Sequence, residues 1–276
     1  MTPSPGTPTG TRPPRPPVDP RIRQRRVTVA RDQGRRRLRV LLVALAVVVV
    51  ALAVLGVLHT RVLAARVVTV VGDHPHETTA AIVGAAGLAG HPPMIDVDPG
   101  AASAGVEALP WIATATVTRH WPDGVRITVS ERSATLAMAG PGKDWTVLDP
   151  TGRALQVVPV HPPGLAVLVV HGPSGPVPPP AVGSSLGPVA DPGLEVARTL
   201  PPAFAAQVLA VTVAADQTVS LYLNSGLTVL LGTATDLEQK YEDVATIIAR
   251  APLRGAHTID VSVPQSPTVS AATANT

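Results

Sequence analysis

Leu109 to Arg132 reads LPWIATATVTRHWPDGVRITVSER, and both halves carry the period of two expected of half-buried strands. Ala113, Ala115 and Val117 alternate with Thr114, Thr116 and Thr118, while Val125, Ile127 and Val129 alternate with Arg126, Thr128 and Ser130. Between them His120-Trp121-Pro122-Asp123-Gly124 supplies Pro and Asp-Gly turn chemistry, so the segment is expected to fold as a hairpin. Working back toward the N-terminus, Asp98-Pro99 offers a side-chain acceptor at an N-cap and Pro at the first helical position. That pair opens a helix through Ala101 to Leu109, which Pro110 ends. Thr78 to Ala86 is Ala-rich and suits a helix, although Gly84 weakens it. Val67 to Val71 is a β-branched run closed by Gly72, a strand signal. The expected order is β-α-α-β-β.

Beyond Arg132 the pattern shifts to short strands and turns. Trp145 to Leu148 is followed by Asp149-Pro150-Thr151-Gly152, whose Asp, Pro and Gly occupy type I turn positions, and Arg153 to Val157 returns as a strand. Leu165 to Val170 is a further strand, and Gly172 to Pro188 is too rich in Gly and Pro for regular structure. Asp191 to Leu200 is expected as a short helix. Val208 to Val213, Val219 to Leu223 and Leu227 to Leu231 follow as a meander, turned by Asn224-Ser225-Gly226. Thr235-Asp236-Leu237-Glu238 has the form of a capping box, opening a helix with Leu237, Tyr241, Val244, Ala245 and Ile248 on the face that covers the sheet. Ile259 to Val263 then alternates Ile259, Val261 and Val263 inward. After Pro264 to Pro267, Thr268-Val269-Ser270-Ala271 returns as the edge strand.

Upstream, Val40 to Leu58 is VLLVALAVVVVALAVLGVL, nineteen residues without a charge, close to the ~20 that cross a bilayer core. A transmembrane helix at 40–60 is the reading. Residues 1–39 hold eleven Arg against Asp19 and Asp32, a formal charge of +9, which leaves −6 on the rest of a chain whose net charge is +3. The positive-inside rule then puts the N-terminus in the cytoplasm and everything after about residue 60 outside. A cleaved signal peptide fits poorly, because the basic region and the apolar run are both too long and no A-x-A-like site precedes Arg66. Residues 1–39, rich in Pro and Arg, are expected to form a disordered basic tail. The Arg run carries no interleaved aromatic, so topology explains it better than nucleic-acid binding, and no nucleic-acid partner is expected.

The 276 residues contain no cysteine, which excludes disulfides, CxxC redox chemistry and thiolate metal sites. Aromatics are 2% of the chain, so the cores must be aliphatic. Gly183-Ser184-Ser185-Leu186-Gly187 fits the letters of a nucleophile elbow but lies in the Pro-rich stretch, without the strand and helix that motif needs. His74 and His76 have a ligand-like spacing with no third ligand beside them. Catalytic residues, cofactors and metals are therefore all expected to be absent. Trp111 and Trp121 flank the hairpin, where core packing is a simpler role than partner contact. Arg119, Glu131 and Arg132 lie at strand ends, where an ion pair would fix a junction between domains.

The basic tail, the single apolar span, Val67 to Gly72, Leu109-Pro110-Trp111-Ile112, Arg119-His120-Trp121-Pro122 and Ile127-Thr128-Val129-Ser130-Glu131-Arg132 together resemble the FtsQ/DivIB family of cell-division proteins. The likeness continues through Leu148, Asp149, Gly152 and Leu155, through Leu230-Leu231-Gly232 and Lys240, to Ile259-Asp260-Val261-Ser262-Val263-Pro264. It implies an α+β chain: one transmembrane helix, a POTRA domain at 66–132, a mixed β-sheet domain with covering helices at 133–272, and a tail at 273–276. It further implies a non-catalytic scaffold of the division septum in the cell membrane, with its C-terminus outside. Its implied partners are an FtsB/FtsL-like pair and, through them, the FtsW/FtsI-like septal synthase. By the same resemblance the partner would add to the last strands, involving Ile259, Val261, Val263, Thr268, Val269, Ser270 and Ala271.

Overall fold

The structure is a computed structural model and describes residues 20–58, 63–250, 257–263 and 266–271. Contacts divide the chain into one unit up to Val62 and a second from Leu63 onward. In the first, helix α1 runs from Pro20 to Leu58. Its stretch from Arg36 to Val57 reaches a mean hydropathy of 3.3 with none of it buried, the surface a helix presents to hydrocarbon. The basic stretch before the span was expected to be disordered up to residue 39, yet the helix already begins at Pro20. Once a long apolar helix exists, each added residue costs no new nucleus, and Arg, Gln and Leu extend it readily. Pro20 sits at the end where a missing N–H is harmless. The remainder of the expected tail, residues 1–19, and the last two residues of the expected span lie outside the described residues.

In the second unit, β1 (Val67–Val71), α2 (Thr79–Ala85), α3 (Pro99–Glu107), β2 (Ile112–His120) and β3 (Gly124–Glu131) follow in the expected order. The strands form a sheet in the order β1-β3-β2, with β1 parallel and β2 antiparallel to β3. Local chemistry fixes the helices: Thr78 accepts from the Ala81 N–H, and Asp98 from the Gly100 N–H at 2.8 Å. Ile82, Met94, Val106, Ile112 and Ile127, all buried, fill the space between the helices and the inner sheet face. Gly72 has φ 120°, and a Cβ there would stand 2.1 Å from the Val129 carbonyl oxygen. Only glycine fits where β1 leaves the sheet.

The larger sheet contains β4 (Leu136–Ala139), β5 (Trp145–Leu148), β6 (Ala154–Val158), β7 (Ala166–Gly172) and β8 (Gly175–Pro176). After α4 (Asp191–Thr199) and α5 (Pro202–Ala205) it continues with β9 (Val208–Val213), β10 (Val219–Leu223) and β11 (Thr228–Gly232). Helix α6 (Leu237–Arg250) leads to β12 (His257–Asp260) and β13 (Thr268–Ala271). The order is β13-β12-β11-β10-β9-β7-β4-β5-β6, with β8 paired to β7. Two of its parallel contacts, β7 with β9 and β11 with β12, need crossovers, which α4 and α6 provide. Both helices pack on the core beneath them through Leu194, Val196, Leu237, Tyr241 and Val244. Strand β4 escaped the sequence reading because Leu136, Ala137 and Met138 are all buried. A strand covered on both faces shows no alternation.

The start of α6 differs from the expected capping box. The Thr235 hydroxyl meets that of Thr233 at 3.0 Å, and Asp236, with φ 53°, precedes the first helical residue. Lys240 ties the helix to the sheet instead: its buried ammonium donates to the Leu231 and Thr233 carbonyls, 2.8 Å each. Burial lowers the Lys240 pKa, while the Asp236 charge works to raise it.

Candidate functional site

The chain's last strand ends the larger sheet. Strand β13 pairs antiparallel with β12, Ile259 opposite Val269 and Asp260 opposite Thr268, and among the described residues has no strand on its other side. Thr268, Val269, Ser270 and Ala271 are all exposed, Val269 at 44%. An outermost strand presents a row of N–H and C=O groups that another chain can meet. Ile259 and Val261, by contrast, are each fully buried in the core. The expected inward position of Val263 is corrected: it is 56% exposed. Asp260 causes the change, because its carboxylate accepts the Ser262 N–H at 2.9 Å and turns the chain out of the strand before the alternation reaches Val263. The four β13 residues thus carry the exposed edge, while Ile259 and Val261 hold the strand behind it.

A second cluster joins the two sheets. Trp111 is buried against Val147 and Leu155 of the larger sheet, and its outer face stacks on the His76 ring, centroids 3.7 Å apart and planes nearly parallel. Glu131 fixes that ring, accepting from the His76 backbone N–H at 3.1 Å and meeting its Nδ1 at 2.8 Å. Arg132 donates from Nε to the Ile112 carbonyl and from Nη1 to Asp149 Oδ2 at 2.8 Å. Arg153 reaches back to the Ala108 carbonyl at 3.1 Å. Asp149, 2% exposed, also accepts from the Thr151 hydroxyl and the Thr151 and Arg153 backbone N–H groups. Its burial works to raise the pKa, but the hydrogen bonds from Thr151, Arg153 and Arg132 outweigh it and hold the carboxyl below its ordinary value.

The junction therefore uses Arg132, Glu131 and Trp111, and two expectations need correction. Arg119 does not reach the larger sheet; its Nη1 donates to the Met94 and Val97 carbonyls and ties the hairpin to the loop before α3. Trp121 is 53% exposed rather than packed, because it sits at the hairpin tip, beyond the helices that cover the inner face. Sequence reasoning missed the parts of His76, Asp149 and Arg153. His76 was legible only as one of two spaced histidines, and its ring partner Trp111 lies 35 positions on.

The histidines do not converge. His74 turns to the Gly72 carbonyl at 2.8 Å and the Thr79 hydroxyl, away from the His76–Glu131 pair. Among the described residues no group of three or more His, Asp or Glu is placed to hold a metal ion. Ser184 and Ser185 lie beside β6, where the Ser184 carbonyl accepts the Ala154 N–H and Ser185 bridges to Arg153.

Residues 63–132 match the family profile of the POTRA domain, FtsQ-type, and residues 137–262 that of the cell division protein FtsQ/DivIB, C-terminal. The cell division protein FtsQ of Streptomyces griseus is 31% identical over 185 residues, covering 65% of this chain and 84% of the relative. FtsQ of Mycobacteroides abscessus is 27% identical over 247 residues, 88% of this chain and 74% of that one. FtsQ of Mycolicibacterium smegmatis is 31% identical over 238 residues, 85% and 66%. The extracytoplasmic domain of Geobacillus stearothermophilus DivIB superposes with a TM-score of 0.31 at 19% identity, covering 44% of this chain and 93% of that one. With one membrane-length apolar helix ahead of both matched segments, this chain belongs to the FtsQ/DivIB family of cell division proteins.

Proposed function

We propose that this protein is a non-catalytic scaffold of the division septum, which receives a strand from an FtsB/FtsL-like partner pair along β13 and thereby helps regulate an FtsW/FtsI-like septal synthase. The supporting observation is the position of β13: last in the strand order and exposed at all four residues. Its inner neighbour β12 is anchored by the fully buried Ile259 and Val261. A strand added there would gain main-chain hydrogen bonds with little dependence on the side chains of β13.

Proline removes an N–H and clashes with ladder pairing. Val269→Pro, or truncation after Pro264, is therefore expected to leave the protein membrane-inserted and folded but unable to co-purify the FtsB/FtsL-like pair, whereas Val269→Ala should co-purify it normally. Undiminished co-purification with the Pro variant would remove β13 as the partner strand. The orientation rests on the Arg excess before the span. A reporter active only outside the membrane should work when fused after residue 70 and fail at residue 20; the reverse pattern would overturn the topology.

A further inference from the structure

On the helical face of the larger sheet, α5 and α6 enclose an open groove of about 820 Å³. Its floor is apolar. The rings of Phe204 and Tyr241 meet edge to face with centroids 6.1 Å apart, and Leu237 and Ile248 extend the same surface along α6. Tyr241 is held in place by the Thr199 hydroxyl at 3.0 Å, so the floor is ordered. Along one wall stand Glu238 and Glu242, both exposed and one helical turn apart. Farther along, the wall is lined by Ala245 and Ala249, which leave room for a backbone to come close.

The lining of α6 spans Leu237 to Ala249, roughly 18 Å at the helical rise. That length suits a helix of about three turns better than a compact ligand. Charge selects among elongated occupants. A second copy packed face to face about a two-fold axis would set these carboxylates against their own equivalents. An anionic lipid would bring its headgroup to the same two charges. A helix with an apolar ridge beside Lys or Arg meets both the floor and the wall.

We propose that the α5–α6 groove docks an amphipathic helix of another protein, with basic residues that face Glu238 and Glu242. The proposal concerns a surface separate from β13 and stands without the strand-addition reading. The test places a photo-crosslinking amino acid at Ala249 of the full chain in native membranes, with a second insertion at Val269 to report the β13 edge independently. The expected product joins Ala249 to a segment of a different protein that mass spectrometry maps to an apolar i, i+3/i+4 pattern with flanking Lys or Arg. Glu238→Arg with Glu242→Arg should cut its yield roughly fivefold or more, without changing the Val269 product or thermal unfolding. If the Arg pair does not fold, Glu238→Gln with Glu242→Gln reads the same dependence. The proposal is overturned by no product, by a product within the chain, with a second copy or with lipid alone, by a segment lacking basic residues, or by a yield indifferent to these charges.

Discussion

The junction between the two sheets and the end of the larger sheet treat polar groups in opposite ways. At the junction, Arg132 with Asp149 and Arg153 with the Ala108 carbonyl bond across the two segments, while Glu131 holds His76, which seals Trp111. At β13 the backbone runs along the outside of the sheet with four exposed side chains. A buried charge without a partner is costly, so a junction of this kind favours one arrangement of its parts. An exposed strand edge tolerates many partners for its backbone and fixes none of them alone. The difference assigns rigidity to the first region and availability to the second.

The most damaging way to break this contrast is at Asp149. Asp149→Ala would leave the Arg132 guanidinium, whose side chain is 20% exposed, without its carboxylate, and would also leave three donors in the turn after β5 without their acceptor. Removing one partner of a buried pair costs about 3–5 kcal/mol, and denaturant unfolding should show a loss of that order. A loss below about 1 kcal/mol, the scale of an exposed pair, would mean that the junction is not held by this bond. Val269→Pro should show the inverse pattern, with partner binding lost and stability nearly kept.

Acid should act on the same bond. Because the folded Asp149 carboxyl lies below its ordinary value, its contribution is fully present above the unfolded pKa of about 3.9 and disappears as pH falls through the lower folded value. The stability gap between the wild type and Asp149→Asn should therefore be constant from neutral pH down to about pH 5 and narrow below about pH 4. Urea unfolding at a series of pH values reads it directly. A gap that widened on acidification would contradict the sign of the shift.

These two regions were not equally legible in the sequence. The β13 edge was readable because Thr268 to Ala271 follows a Pro-bounded turn at the end of a strand-rich chain, and local pattern was sufficient. Its neighbour was misread by one position, since the Asp260 side chain's bond to the Ser262 N–H overrides the alternation that would have buried Val263. At the junction, Arg132 was picked out as a strand-end charge, but its partner is in a turn recognised only as a turn. Arg119 looked equivalent and serves the loop before α3 instead. Which cation meets which anion depends on how two sheets are set together, and neither periodicity nor capping chemistry carries that information. Lys240 is a case of the same kind: its place on α6 was legible, but its burial and its two carbonyl partners were not.

A smaller effect tests whether exposed edges here are a choice. Strand β2 is also outermost in its sheet, and at nine residues it is a longer template than β13. Its edge is blocked: Glu107 accepts the Ala115 N–H at 2.9 Å and the Ser103 hydroxyl accepts the Val117 N–H at 3.1 Å, both from α3. Side chains that occupy edge donors deny them to another strand. Ser103→Ala with Glu107→Ala should remove both blocks, at a cost of about 2–4 kcal/mol for two hydrogen bonds, one of them to a carboxylate. The opened strand should also make the variant self-associate. Denaturant unfolding measures the first effect, and the concentration dependence of light scattering in detergent measures the second. A variant that loses stability but stays monomeric would show that these bonds serve only to hold α3. One that associates, and whose association is relieved by Ala115→Pro, which removes a freed outward N–H, would show that β2 was closed against pairing while β13 was left open.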